Sequence, residues 1–94
     1  PTLEFGVLEE IRDITGKPLV LHGGSGITDD DFRKAISLGI CKVNIATASF
    51  NSLTKEAEKY IETEGKHNYF DMNEAMVKGV YDNVKRHIEI FNCK

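Results

Sequence analysis

No stretch of this 94-residue sequence stays apolar for the roughly 18 residues that a membrane-spanning helix needs, so a membrane is not expected as a partner. The first residues carry neither the basic start nor the apolar stretch of a secretory signal, and a cytoplasmic setting is the expectation. Cysteine is scarce: Cys41 and Cys93 stand far apart with no Cys-x-x-Cys spacing, which argues against both a disulfide framework and a thiolate zinc site. Both are expected to be ordinary thiols. Nor is there a basic excess: 12 Lys and Arg face 15 Asp and Glu, and no basic cluster could follow a nucleic-acid backbone, so nucleic acid is not an expected partner. Internal repeats and low-complexity segments are absent. What is present, 40% hydrophobic and 29% charged residues, is the composition of at most one globular domain.

The apolar positions Val7, Leu8, Ile11 and Ile14 recur at helical spacing between Leu3 and Ile14, and Gly16 with Pro18 predicts the end of that helix. Pro18-Leu19-Val20-Leu21 is apolar throughout, as in a parallel strand buried on both faces. Gly23, Gly24 and Gly26 stop it. Thr28 can cap a helix, with Asp31 completing a capping-box pattern and Phe32, Ala35 and Ile36 on its apolar side. Gly39 then predicts a stop before a second strand-like run, Ile40 to Ile45. Two more helices are expected, roughly Ala48 to Thr63 and Met72 to Phe91. For the last, Asp71 with Glu74 reads as a capping box, and Met76, Val80, Val84, Ile88 and Phe91 read as one apolar stripe of core or interface. Alternating helices and buried strands predict parallel β-α-β units, yet two strands buried on both faces need neighbours that these residues do not supply. The sequence reads as a segment of a larger α/β fold.

Leu21-His22-Gly23-Gly24-Ser25-Gly26-Ile27 places a histidine at the C-terminal end of the first strand, the end at which α/β folds bind ligands. Glycines let the backbone approach an anion, and the N–H groups at the following helix start attract negative charge, so a phosphate would fit. The tract is equally compatible with a plain turn, and a lone histidine at a strand end is more often structural than a ligand, since zinc takes three or four donors. His67 and His87 have no ligand spacing that would complete a local site. Lys42-Val43-Asn44-Ile45-Ala46-Thr47 lies one unit later at the same end of the next strand. There the Asn44 amide and Thr47 hydroxyl could meet the same ligand as Ser25, or could cap a turn and a helix.

Taken together, Leu-His-Gly-Gly-Ser-Gly-Ile followed by Lys-Val-Asn-Ile-Ala-Thr resembles the strand 7 and strand 8 motifs of class II ketose-bisphosphate aldolases, the fructose- and tagatose-bisphosphate enzymes. The resemblance runs from Pro1 to the terminal helices. It implies that residues 1–94 are the C-terminal segment of a single TIM (β/α)8 barrel domain, with six further strands elsewhere. His22 matches one of three ligands to Zn2+. Gly23, Gly24 and Ser25 match the loop that holds the phosphate of dihydroxyacetone phosphate, and Asn44, Ile45, Ala46 and Thr47 match the second segment of that site.

The implied activity is a lyase reaction, reversible aldol cleavage of a ketose 1,6-bisphosphate to dihydroxyacetone phosphate and glyceraldehyde 3-phosphate, with zinc as the Lewis acid. The family's proton-moving aspartate and its other histidine ligands match nothing in these residues, so no catalytic base is assigned. Ala46 leans toward the tagatose-type pattern, where fructose-type members carry an acidic residue, but Ala48 stands where that branch has Glu. The expected partners are the bisphosphate substrate, the rest of the barrel in the same or another chain, and a further copy in a homo-oligomer. A non-catalytic phosphate-binding or assembly module of the same fold is the alternative.

Overall fold

The computed structural model describes residues 2–92. Six elements follow one another: α1 (Phe5–Thr15), β1 (Leu19–Leu21), α2 (Asp29–Ser37), β2 (Ile40–Val43), α3 (Thr47–Glu62) and α4 (Tyr69–Phe91). This is the order expected from the sequence. Cys93 lies outside the described residues, while Cys41 is an exposed free thiol on β2. Among the described residues no helix is long and apolar enough to cross a membrane. The chain divides into two units, one running to Ile45 and taking in the residues from Glu89 onward, the other Ala46–Ile88.

In the first unit, α1 stops because Gly16 takes the left-handed conformation at φ 60 and returns its N–H to the Arg12 carbonyl at 2.9 Å. β1 and β2 pair in parallel, Leu19 opposite Ile40, Val20 opposite Lys42 and Leu21 opposite Val43, with Cys41 as the extra residue of a bulge. Between them α2 begins at Thr28, whose hydroxyl accepts the Asp31 N–H at 3.2 Å. The core gathers Ile27, Phe32 and Ile90, with Leu21, Val43 and Ile45 packed against it. Phe32 is 1% exposed and meets Phe91 edge to face, ring centres 5.1 Å apart.

One expectation is not met within these residues. β1 is not buried on both faces: Leu19 and Leu21 are half-buried and Val20 is 46% exposed. Helix α1 buries none of its residues, and a groove of about 270 Å³ lined by Leu3, Val7, Ile11 and Val20 stays open. The apolar pattern was real, but the atoms that would cover this side of the sheet are not among the described residues.

In the second unit α3 starts at Thr47 itself, so Thr47 is the first residue of the helix and not its cap. Helix α4 starts a turn earlier than the Asp71–Glu74 pattern suggested. Asn68 Oδ1 accepts the Asp71 N–H at 2.9 Å and Asn68 Nδ2 donates to Asp71 Oδ2 at 2.8 Å, so Asn68 is the cap and Asp71 its partner. The two helices approach closely where Gly79 faces Ser52: a Cβ on Gly79 would lie 2.7 Å from the Ser52 carbonyl oxygen. Asn83 Nδ2 donates to Ser49 Oγ at 3.0 Å nearby, and buried His87 donates through Nδ1 to the Asn83 carbonyl at 2.8 Å.

The apolar stripe of α4 also divides. Met76 and Val80 are half-buried, whereas Val84 and Ile88 are 45% and 61% exposed. Residues spaced four apart advance about 40° around a helix at each step, so a run of such steps leaves the face on which it began.

Candidate phosphate and metal-ligand site

His22 follows the last residue of β1 and Asn44 follows the last residue of β2, so the parallel register brings both to the same end of the sheet. The backbone carries the pairing one step beyond the strands: Asn44 N–H donates to the Leu21 carbonyl at 2.9 Å, and Gly24 N–H donates to the Asn44 carbonyl at 3.1 Å. Between these two bonds the Asn44 amide nitrogen lies 3.0 Å from His22 Nδ1. An amide N–H donating to Nδ1 puts the ring proton on Nε2. With the amide turned over, its oxygen would accept from Nδ1–H and leave the lone pair on Nε2, so the orientation of the Asn44 amide decides whether His22 has a lone pair left for a ligand.

The loop after His22 needs its glycines for separate reasons. Gly24 is buried, and a Cβ there would come 2.8 Å from Val43 Cγ1 and 3.2 Å from Ile45 Cγ1. Gly26 sits at φ 87, the third position of a turn in which Ile27 N–H returns to the Gly24 carbonyl at 3.4 Å, and such a turn requires positive φ there. Ser25 occupies the second position of this turn, half-buried.

The geometry corrects which groups would attract an anion. Gly24 N–H and Asn44 N–H are committed to backbone carbonyls, so neither is left as a donor. The start of α2 is already supplied with negative charge by Asp29, Asp30 and Asp31, and its Thr28 cap takes the Asp31 N–H. The attraction expected from this helix start is therefore offset. In the second unit α3 differs: Ala46 provides no side-chain cap and no acidic residue stands in the first turn, which opens with the exposed Thr47. Of the two helix starts, only α2 carries acidic residues in its first turn.

His22 is exposed. Among the described residues no group of three or more His, Cys, Asp or Glu could hold a metal ion. The donor set present is thus a single imidazole, and a zinc ion on His22 would need its other ligands from residues beyond these. The structure brings His22, Gly23, Gly24, Ser25, Asn44 and Ile45 together in the first unit, while Ala46 and Thr47 open the second. The direct His22–Asn44 contact was not anticipated. Its signal in the sequence is that each residue stands one position past its strand, which becomes informative once the strands are known to be parallel and in register.

A histidine and a glycine-rich loop at the C-terminal end of parallel strands mark the ligand-binding end of an α/β protein. The model of the family described as fructose-bisphosphate aldolase class-II matches residues 1–94, and the chain belongs to that family. A fructose-bisphosphate aldolase of Mycoplasma genitalium is 56% identical over 61 residues, 65% of this chain and 21% of that protein. The crystal structure of the YdjI aldolase from Escherichia coli K12 matches with a TM-score of 0.87 and 34% identity over 98% of this chain and 34% of that one. The chain therefore has an α/β aldolase-like fold and spans between about a fifth and about a third of the length of these relatives.

Proposed function

We infer that these residues supply the phosphate-binding end and one metal ligand of an enzyme that reversibly cleaves a ketose 1,6-bisphosphate to dihydroxyacetone phosphate and glyceraldehyde 3-phosphate. The observation that carries this reading is the His22–Asn44 pair, 3.0 Å apart at one end of two parallel strands and flanked by the Gly23–Ser25 loop. On this reading the segment is strands 7 and 8 of a (β/α)8 barrel whose remainder completes the sheet edges. His22 is one of three zinc ligands, bound through Nε2 with the Asn44 amide turned so that its oxygen accepts from Nδ1–H. Zinc would supply a Lewis acid that polarises the ketose carbonyl. Everything else here is binding: Gly23 and Gly24 keep the loop low and Ser25 offers its hydroxyl. In the family pattern the phosphate segment continues from Asn44 and Ile45 through Ala46 and Thr47, where the start of α3 favours negative charge.

The proposal stays at the level of the ketose 1,6-bisphosphate. The Mycoplasma relative is named for the fructose substrate, while Ala46 matches the tagatose-type pattern. The test is cleavage of fructose and tagatose 1,6-bisphosphates by the full polypeptide with zinc, compared with His22→Ala and Ser25→Ala. The reading expects His22→Ala to lose bound zinc together with activity and Ser25→Ala to raise KM. Full zinc occupancy and turnover in His22→Ala would overturn it.

A further inference from the structure

The two-stranded sheet has one covered face and one bare face. Leu21, Val43 and Ile45 pack against the core of Ile27, Phe32 and Ile90, and Ile40 is buried. Side chains alternate along a strand, so Val20, His22, Lys42 and Asn44 stand on the other face. There Val20 is 46% exposed, Lys42 is exposed, and His22 meets Asn44 through its side chain. Unbroken alternation from Ile40 would have sent Lys42 to the core side. The extra residue at Cys41 turns it over and sets it opposite Val20, as bulges beside functional sites re-aim a side chain.

The bare face thus carries two rungs: Val20 with Lys42 and, one step nearer the ligand end, His22 with Asn44. Lys42 and His22 are diagonal neighbours, with Cα atoms about 7–8 Å apart, a separation that a long side chain can span. Among the described residues no carboxylate pairs with Lys42. On the barrel reading proposed above, on which this inference rests, the face turns to the closed interior. A lysine is kept in such a place only with a partner of opposite charge.

We propose that Lys42 is a positioning residue: an interior cation one rung beneath His22 that pairs with an Asp or Glu carboxylate from the rest of the polypeptide and neutralises it beside the metal. Without Lys42 that carboxylate is left uncompensated. Its charge would hold a dication more tightly and make it a weaker electrophile toward the ketose carbonyl. Lys42 therefore lowers metal affinity and raises turnover, without touching the phosphate-binding loop.

The test uses the full polypeptide, with zinc affinity read by competition against a chelating dye and circular dichroism as the check on folding. Lys42→Met should bind zinc at least about fivefold more tightly, the effect of a unit charge roughly 8 Å from a dication even at the dielectric of water. Its kcat should fall while KM stays unchanged, and Lys42→Arg, which keeps the charge, should stay near wild type in both. A merely structural lysine would give the opposite sign, weaker zinc binding. In the wild-type protein, acetylation followed by mass spectrometry should find Lys42 protected while the exposed Lys66 reacts. Loss of zinc in His22→Ala together with unchanged or weaker zinc binding in Lys42→Met would overturn this inference and leave the aldol reading standing. Zinc retained in His22→Ala would overturn both. Rapid acetylation of Lys42 in the wild-type protein would overturn its interior placement, whatever the behaviour of the variants.

Discussion

The Asn44 amide nitrogen and His22 Nδ1 stand 3.0 Å apart although 22 positions separate them in the chain. Each lies one residue beyond a strand, and the backbone bonds from Asn44 N–H to Leu21 and from Gly24 N–H to Asn44 hold the two strand ends on either side of the contact. The side-chain pair is exposed, so its meaning is orientation more than stability.

Replacing Asn44 by Ala should therefore leave the fold nearly as stable, within about 1 kcal/mol as expected for loss of one exposed hydrogen bond. Zinc affinity of the full polypeptide should fall by about 10- to 100-fold, the usual effect of removing the group that orients a ligating histidine. Competition against a chelating dye measures the affinity, and urea denaturation the stability. Equal zinc affinity in the variant would remove Asn44 from the positioning role.

Gly24→Ala should destabilise the first unit by about 1–3 kcal/mol, the scale of overpacking in a tight interior. The new methyl would sit 2.8 Å from Val43 Cγ1 and 3.2 Å from Ile45 Cγ1, with the Asn44 carbonyl oxygen at 3.4 Å. Val43 is β-branched and has little rotamer freedom with which to yield. A shift in the urea midpoint is the readout, and an unchanged midpoint would mean that the loop can lift without loss.

Gly79→Ala sets two effects against each other. Alanine in place of glycine should favour the helix by about 1 kcal/mol. The added methyl, however, would lie 2.7 Å from the Ser52 carbonyl oxygen and 2.8 Å from Glu56 Cγ, and the carbonyl cannot yield unless α3 moves. The net expectation is destabilisation of the α3–α4 pair by about 1–2 kcal/mol, the overpacking term being the larger. Thermal unfolding that shifts upward would show that the helices separate easily.

Asn68→Ala should loosen the first turn of α4, with a loss of about 1 kcal/mol typical of a removed cap. Glu74→Gln should leave that turn unaffected, because the capping contacts run between Asn68 and Asp71. Amide hydrogen exchange of the first helical turn distinguishes the two. The same loss in both variants would restore the capping box at Asp71.

The 94-residue chain by itself should show no aldolase turnover with added zinc, since on the proposed reading it carries one histidine of the ligand set, and no group of three metal-binding side chains stands among its described residues. It should also self-associate, because among the described residues no further strand pairs with either edge of the two-stranded sheet and the groove beside Val20 is open. Light scattering behind size exclusion and a cleavage assay check the two halves. A monomer with measurable turnover would refute both.

Wherever the controlling interaction is local, the amino-acid sequence alone determined the outcome. The element order, the Thr28 cap, the stops at Gly16 and Gly39 and the placement of His22 just past a strand all follow from neighbours within a few residues. The start of α4 did not, because Asn68 and Asp71 are both competent caps. A contact from farther along the chain favours the earlier one: Asn68 N–H donates to the Tyr60 hydroxyl at 2.9 Å. The His22–Asn44 pair likewise depends on the parallel register, which the bulge at Cys41 shifts by one residue. The acidic start of α2 was legible in the sequence, yet only the bonds made by Gly24 and Asn44 showed how few of the loop's backbone donors remain for an anion. Tertiary structure decided these matters because register, close approach and competition for one N–H are set by atoms brought together from distant positions, which no local pattern encodes.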